Sequence, residues 1–223
     1  MLLDNLLEGD TTLRFRTIAA LNKIRRTHPA IELDLQMLET VLAAEILGHY
    51  RSYQILASIG TLPVGDDPVA RALKDSMEHE LERIFLLLSL LHPHLDLHSA
   101  YTGLQSTSVS VRDNALEFLD NVLKSQLRNM LVPLLDSKIT AAERAQMAGR
   151  LVRAKMQSQE QAVVALIASE DPWLKTCGAY AIGTLGIKSL EGELDRCLTD
   201  SDPLLRETAR VAKLRLREII PKA

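Results

Sequence analysis

Apolar and small residues in the second half of the chain return one helical turn apart. Ala115 is followed by Leu119, Met147 by Leu151 and Gly178 by Ile182, and Ala209 begins the same pattern again. Such spacing lines one face of a helix and does not alternate as a strand would. Three residues before each of these stripes stands a base: Arg112, Arg144, Lys175 or Arg206. Four residues before each base stands a residue suited to capping: Ser108, Thr140, Asp171 or Asp202. Asp171-Pro172 and Asp202-Pro203 carry the strongest start signal, because the carboxylate accepts unpaired first-turn N–H groups and proline loses nothing at the first helical position. A second apolar segment follows each of the first three stripes, at Met130–Leu135, Ala162–Ile167 and Leu190–Leu198.

The four bases lie 32, 31 and 31 residues apart, so the pattern predicts a helix pair every 31 or 32 residues, the period of a solenoid. Upstream the register loosens. Asp67-Pro68 precedes Arg71, and Thr12 precedes Arg16 with Ala19 three further on, which stretches the intervals to 55 and 41 residues. Segments 32–58 and 68–91 read as unusually long helices and 95–105 as a short one, divided by turn signals at His28-Pro29, 61–67 and His92-Pro93. The expected architecture is all-α: five helix pairs and a terminal helix at 202–219, coiled into a right-handed α-α superhelix. It forms a single array over 1–223, with irregular, longer repeats in 1–106 and regular repeats in 107–223.

Composition agrees with helix. Leu and Ala dominate, while aromatics are 4% of the chain, too few for a strand-rich core. A net charge of -3 argues against a generally cationic nucleic-acid binder, although the segment after Pro203 is basic, with Arg206, Arg210, Lys213, Arg215, Arg217 and Lys222. Two cysteines, Cys177 and Cys197, form neither a disulfide framework nor a CxxC metal pattern and suit a reducing compartment. The opening MLLDNLLEGD lacks a basic region and a cleavage site, and no apolar run approaches the ~20 residues of a membrane span. A cytoplasmic protein is expected.

The segments EDPWLKTCGAYAIGTLGI (170–187) and DSDPLLRETARVAKLRLR (200–217) resemble HEAT repeats of the short bacterial type. Together with LRFRTIAALNKIR (13–25), LERIFLLLSLLHP (81–93) and VRDNALEFLDNVL (111–123), they look like the HEAT-repeat region of bacterial membrane proteins related to the ATP/ADP translocases. In that group a transporter-like multi-helix domain precedes the repeats. The resemblance implies a regulatory or scaffolding role for this chain, at the cytosolic face of the inner membrane, with a membrane transporter domain of the same natural chain as its protein partner. The transmembrane part of that family is missing from this sequence.

Candidate chemistry is thin. His92, His94, Asp96 and His98 are the densest set of metal-ligand types, but Pro93 breaks their geometry, and a polar turn with a helix cap is the expected reading. Glu78-His79-Glu80 is one His-Glu pair, where the di-iron hydroxylases built on HEAT repeats need several, and the run Glu78, Glu80, Glu82 reads as a solvated face. The bases Arg16, Arg71, Arg112, Arg144, Lys175 and Arg206 sit in first turns, where the helix dipole disfavours them, so each should have a structural partner within or between repeats. Trp173 and the tyrosines at 50, 53, 101 and 180 are too scattered to stack nucleobases, and Gly178, Gly183 and Gly186 fall within a repeat helix and not in a phosphate loop. No residue is therefore assigned a catalytic, cofactor-binding or metal-ligating role. The function expected is a non-catalytic interaction module. The competing expectation, a bilin lyase-like or DNA glycosylase-like HEAT protein, needs a deep polar pocket or a positive groove. Leu2, Leu3, Leu6 and Leu7 are expected to form an exposed docking edge.

Overall fold

A computed structural model describes residues 6, 11–60, 67–152 and 155–218, and among these every regular element is helical. Eleven α-helices follow in order: α1 (Thr11–Thr27), α2 (Leu35–Ile59), α3 (Pro68–Leu91), α4 (Leu97–Leu104), α5 (Val109–Val122), α6 (Ser125–Leu135), α7 (Ala141–Leu151), α8 (Gln159–Ile167), α9 (Pro172–Leu185), α10 (Glu191–Cys197) and α11 (Pro203–Glu218). A 3-10 turn, Lys188–Leu190, leads into α10.

The caps fix most of these starts. Asp67 and Asp171 each accept two backbone N–H groups ahead of a first-turn proline, and Asp202 accepts from Leu204 N. Thr140 and Glu143 close a reciprocal capping box. Ser108 precedes α5 without a side-chain cap bond, and Thr12 lies inside α1 rather than before it. Gly186 is the left-handed C-cap of α9, at φ 68°, and stands just outside the helix in which it was expected.

α2 and α3 pack as an antiparallel hairpin, long enough at about 37 Å to span several shorter helices end to end. α1 lies alongside α3 and runs parallel to it: Asn22 Nδ2 donates to Leu86 O and Arg25 Nη1 to Leu90 O. α4 packs on α3, α5 on α4, and α6 on α5. The chain then returns along α2. Tyr50 donates to Met130 O of α6, Arg144 of α7 donates to the Tyr53 hydroxyl, and Gln159 of α8 donates to Ile59 O. α9 meets α3, and α8–α9 and α10–α11 form further hairpins.

The 31-residue interval has different meanings in different places. α9 and α11 lie side by side, parallel and close to one period apart, with Gly183 against Ala212 and Thr184 against Arg215. α7 begins one period before α9, yet its principal neighbour is α2. Its buried face is correspondingly shifted: Ala148 is fully buried, while the expected core residue Leu151 is 39% exposed. A long apolar helix offers a short one more surface than its sequence neighbour does, and burial decides the pairing.

Among the described residues two hydrophobic clusters result. One gathers Ile55, Ile59, Val69, Leu73 and Met77 with the apolar faces of α8–α11. The other gathers Ile18, Leu38, Leu42, Ile46, Ile84 and Leu88 with α4–α7. The α2–α3 hairpin belongs to both, and its middle is where the polar residues lie.

Candidate functional site

The buried stripe of α2 reads Leu38, Val41, Leu42, Glu45, Ile46, His49, Tyr50, Ser52, with a carboxylate and an imidazole at core positions. On α3 the inward face includes Leu73, Met77, Arg83, Ile84 and Leu87, with Glu80 only partly exposed. Antiparallel packing sets the polar members opposite each other. Arg83 Nε donates to Glu45 Oε2 at 2.9 Å, with both side chains at most 7% exposed. Glu80 spans two partners on α2, with His49 Nδ1 2.9 Å from one oxygen and Ser52 Oγ donating to the other at 3.0 Å. The His49 and Tyr53 rings meet at 89°, with centroids 5.4 Å apart.

Arg14 of α1 joins this girdle from the side. Nε donates to Leu6 O, Nη1 contacts Glu45 Oε1 at 3.3 Å, and Nη2 contacts Glu170 Oε2 at 3.0 Å. A single guanidinium thus links the N-terminal helix, the central hairpin and the turn between α8 and α9, using its planar fork of donors. The Glu170 end differs in kind from the rest, because that side chain is 60% exposed.

These groups border a cleft of about 410 Å³, whose wall also includes Thr11, Arg51, Leu73 and Ser169. Three arginines (14, 51, 83) and three glutamates (45, 80, 170) line it, so its charges balance. A second cleft, about 540 Å³, shares Thr11 and Arg83 with the first and is bordered by Phe15, Asp75, His79, Glu82 and Trp173. Convergent charged groups of this kind can hold a polar ligand by charge-assisted hydrogen bonds.

Several expectations need correction. Glu80 belongs to the internal girdle and not to a solvated face, because the helix turns it toward α2. Leu6 is only 1% exposed, its side chain packed into the second cluster and against the first cleft, so it is not part of an exposed edge. Leu2, Leu3 and Leu7 lie outside the described residues. In the histidine-rich turn Asp96 caps α4 by accepting from Ser99 N, and burial lowers the His92 pKa. Among the described residues no three His, Cys, Asp or Glu side chains gather as a metal-binding group.

Members of the base series find partners of two kinds. Arg112 donates to Ser106 O, and Arg206 to Asp200 O and Ser201 O, each folding back on the turn before its own helix. Arg144 does the same through Pro133 O and Asp136 O and also reaches Tyr53, over whose ring it lies at 5.1 Å. Lys175 instead crosses to the next unit, with Nζ 3.6 Å from Asp200 Oδ2. Carbonyls of the turn between two helices, and in one case Pro133 O in the last turn of α6, are thus bonded by the base four residues after the next cap.

Glu45, Arg83 and Arg14 were missed in the sequence reading. The signal was present: Glu45 follows Val41 and Leu42 within an apolar stripe, where a charge demands a partner. No protein-family model matches this chain, and no curated protein matches it in sequence.

Proposed function

We propose that this chain is a non-catalytic helical-repeat scaffold of the HEAT type, a right-handed α-α superhelix that docks a protein partner at the cytosolic face of a transporter-like membrane domain. The observation that carries the reading is the repetition in α9 and α11. Both start with Asp-Pro, they pack in parallel about one period apart, and each holds an apolar side chain outward at the same first-turn position. Trp173 and Leu204 are both 52% exposed. An apolar side chain repeated along the edge of stacked units, with water on it, is a surface that a partner covers. The transporter part of the proposal rests on the resemblance of segments 13–25, 81–93, 111–123, 170–187 and 200–217. No helix of the described residues is long and apolar enough to cross a membrane, so membrane association would run through that partner.

Photo-crosslinking tests the surface directly. A photoreactive phenylalanine analogue at position 173 or 204, in the full chain expressed in its own cell, is expected to trap one and the same membrane protein. The same analogue at exposed Glu117 should not trap it. Equal labelling from all three positions would remove the proposed surface.

The buried charges beside an open cleft favour a second reading, a ligand-binding protein on the same fold. It is compatible with the first, since a scaffold can carry a small-molecule site.

A further inference from the structure

We propose that the cleft between α1, the α2–α3 hairpin and the α8–α9 turn is a binding site for a small carboxylate, and that Glu170 occupies the carboxylate's seat when the site is empty. The site is distinct from the partner surface proposed above and does not depend on it.

Arg14 is held from below. Its Nε is fixed by Leu6 O and its Nη1 by Glu45, which is itself fixed by Arg83. The guanidinium is therefore already oriented, and its remaining face, through Nη2, meets Glu170. Glu45 and Arg83 are each more than nine-tenths buried, a rigid floor of the kind that makes charge recognition specific. Glu170 has none of this support: its side chain is 60% exposed and touches the site through Arg14. An exposed carboxylate bonded to a partly buried, pre-oriented arginine is easily exchanged, because a surface ion pair contributes little.

The surroundings favour an external carboxylate as the replacement. Arg51 and Arg83 border the same space, and with Glu170 swung outward three arginines face two glutamates. Thr11 and Ser169 supply hydroxyls, and Leu73, Ile55 and Leu174 supply an apolar wall for a short carbon chain. The volume, about 410 Å³, falls within the ~300–1,000 Å³ range of small-molecule sites.

Trp173, the single tryptophan, lies three residues beyond Glu170 and is half-exposed, so movement of the α8–α9 turn should change its fluorescence. Succinate is the probe, titrated by fluorescence and by calorimetry, with sodium chloride at matched ionic strength as the reference and inorganic phosphate as a second arm. Saturable succinate binding is expected in the wild-type chain. Removing the internal competitor with Glu170→Gln should tighten it up to about fivefold, the range of one exposed ion pair. Arg14→Gln should weaken it by about tenfold or more, as loss of a charge-assisted bond implies. Arg51→Gln, a change at an exposed side chain that leaves the buried girdle intact, should weaken it several-fold. Three outcomes overturn the proposal: no saturable response in Glu170→Gln beyond the chloride reference, unchanged affinity in both arginine variants, or binding of phosphate with none of succinate.

Discussion

Adding one methyl group at Gly183 tests the packing of α9 on α11. A Cβ built there would lie 2.6 Å from Ala212 Cα and 2.8 Å from its Cβ, inside contact distance of backbone that cannot rotate away. Two effects oppose each other in Gly183→Ala. Helix propensity favours alanine by about 1 kcal/mol in a helix interior. Overpacking against a helix backbone costs about 1–3 kcal/mol, with the upper part of the range expected because α11 must shift as a body. The net expectation is destabilisation by about 1–2 kcal/mol. Gly48→Ala and Gly192→Ala supply the control, since a Cβ at either position meets nothing within 4 Å. Those variants should gain up to about 1 kcal/mol, less at Gly192, which lies in the first turn of α10. In a thermal melt by circular dichroism, about 1 kcal/mol corresponds to roughly 2–4 °C for a chain of this size. Gly183→Ala should therefore melt several degrees below wild type, and Gly48→Ala at or above it. Equal stabilisation of both variants would refute close parallel contact between α9 and α11.

Other consequences concern the girdle, the base series, the thiols and pH. Glu45→Gln leaves Arg83 and part of Arg14 without a carboxylate and should cost about 3–5 kcal/mol, whereas the Glu45→Met/Arg83→Met double variant should cost less than Glu45→Gln alone; urea unfolding of both checks this. Arg144→Lys should lose about 1–3 kcal/mol in the same assay, because an ammonium cannot reach Pro133 O, Asp136 O and Tyr53 together. Burial pushes the Cys177 thiol up to about 12, with Asp171 and Asp67 adding to the effect, so a thiol reagent at pH 8 should label it only after unfolding. Hydrogen bonds from Ser99, from Thr140 and from the Asp202 backbone hold Asp96, Glu143 and Asp200 below the usual carboxylate range, and Arg210 does so for Glu207. Their folded-state values lie below their unfolded ones. Their contribution is thus present above about pH 4 and is lost as the pH falls through the lower values, so the melting temperature should drop steeply below pH 4, after a smaller loss that begins as the pH falls below about 6.5, where the unfolded chain protonates His92 and the folded one does not.

Much of the helical layout was legible because caps are local. Asp67, Asp171, Thr140 and Asp202 announce helix starts through bonds to groups two or three residues away, which a linear sequence records directly. Which helix lies on which was harder to read. Arg144 and Lys175 keep the same spacing as Lys175 and Arg206, yet α7 does not lie beside α9 as α11 does, since α2 offers α7 a competing apolar face from a distant part of the sequence. The candidate site was hidden for a related reason. Glu80 and Arg83 look like ordinary helix-surface charges one at a time, Glu45 stands out in its apolar stripe, and which of them meet follows only from the antiparallel register of α2 and α3. Leu6 failed as a surface residue because α1 and the hairpin provide a seat for it that no local pattern reveals.

The central functional claim is that Trp173 and Leu204 form an edge through which the chain docks on a membrane-embedded partner. Cosedimentation of the purified chain with membranes from its own cell tests it most directly, with protein-free liposomes of the same lipids as the reference. The wild-type chain is expected to sediment with the cell membranes and not with the liposomes. Trp173→Ala/Leu204→Ala, which removes two half-exposed side chains and leaves both cores intact, should stay in the supernatant. Equal partitioning of the wild-type chain and the double variant, or equal binding to protein-free lipid, would contradict it.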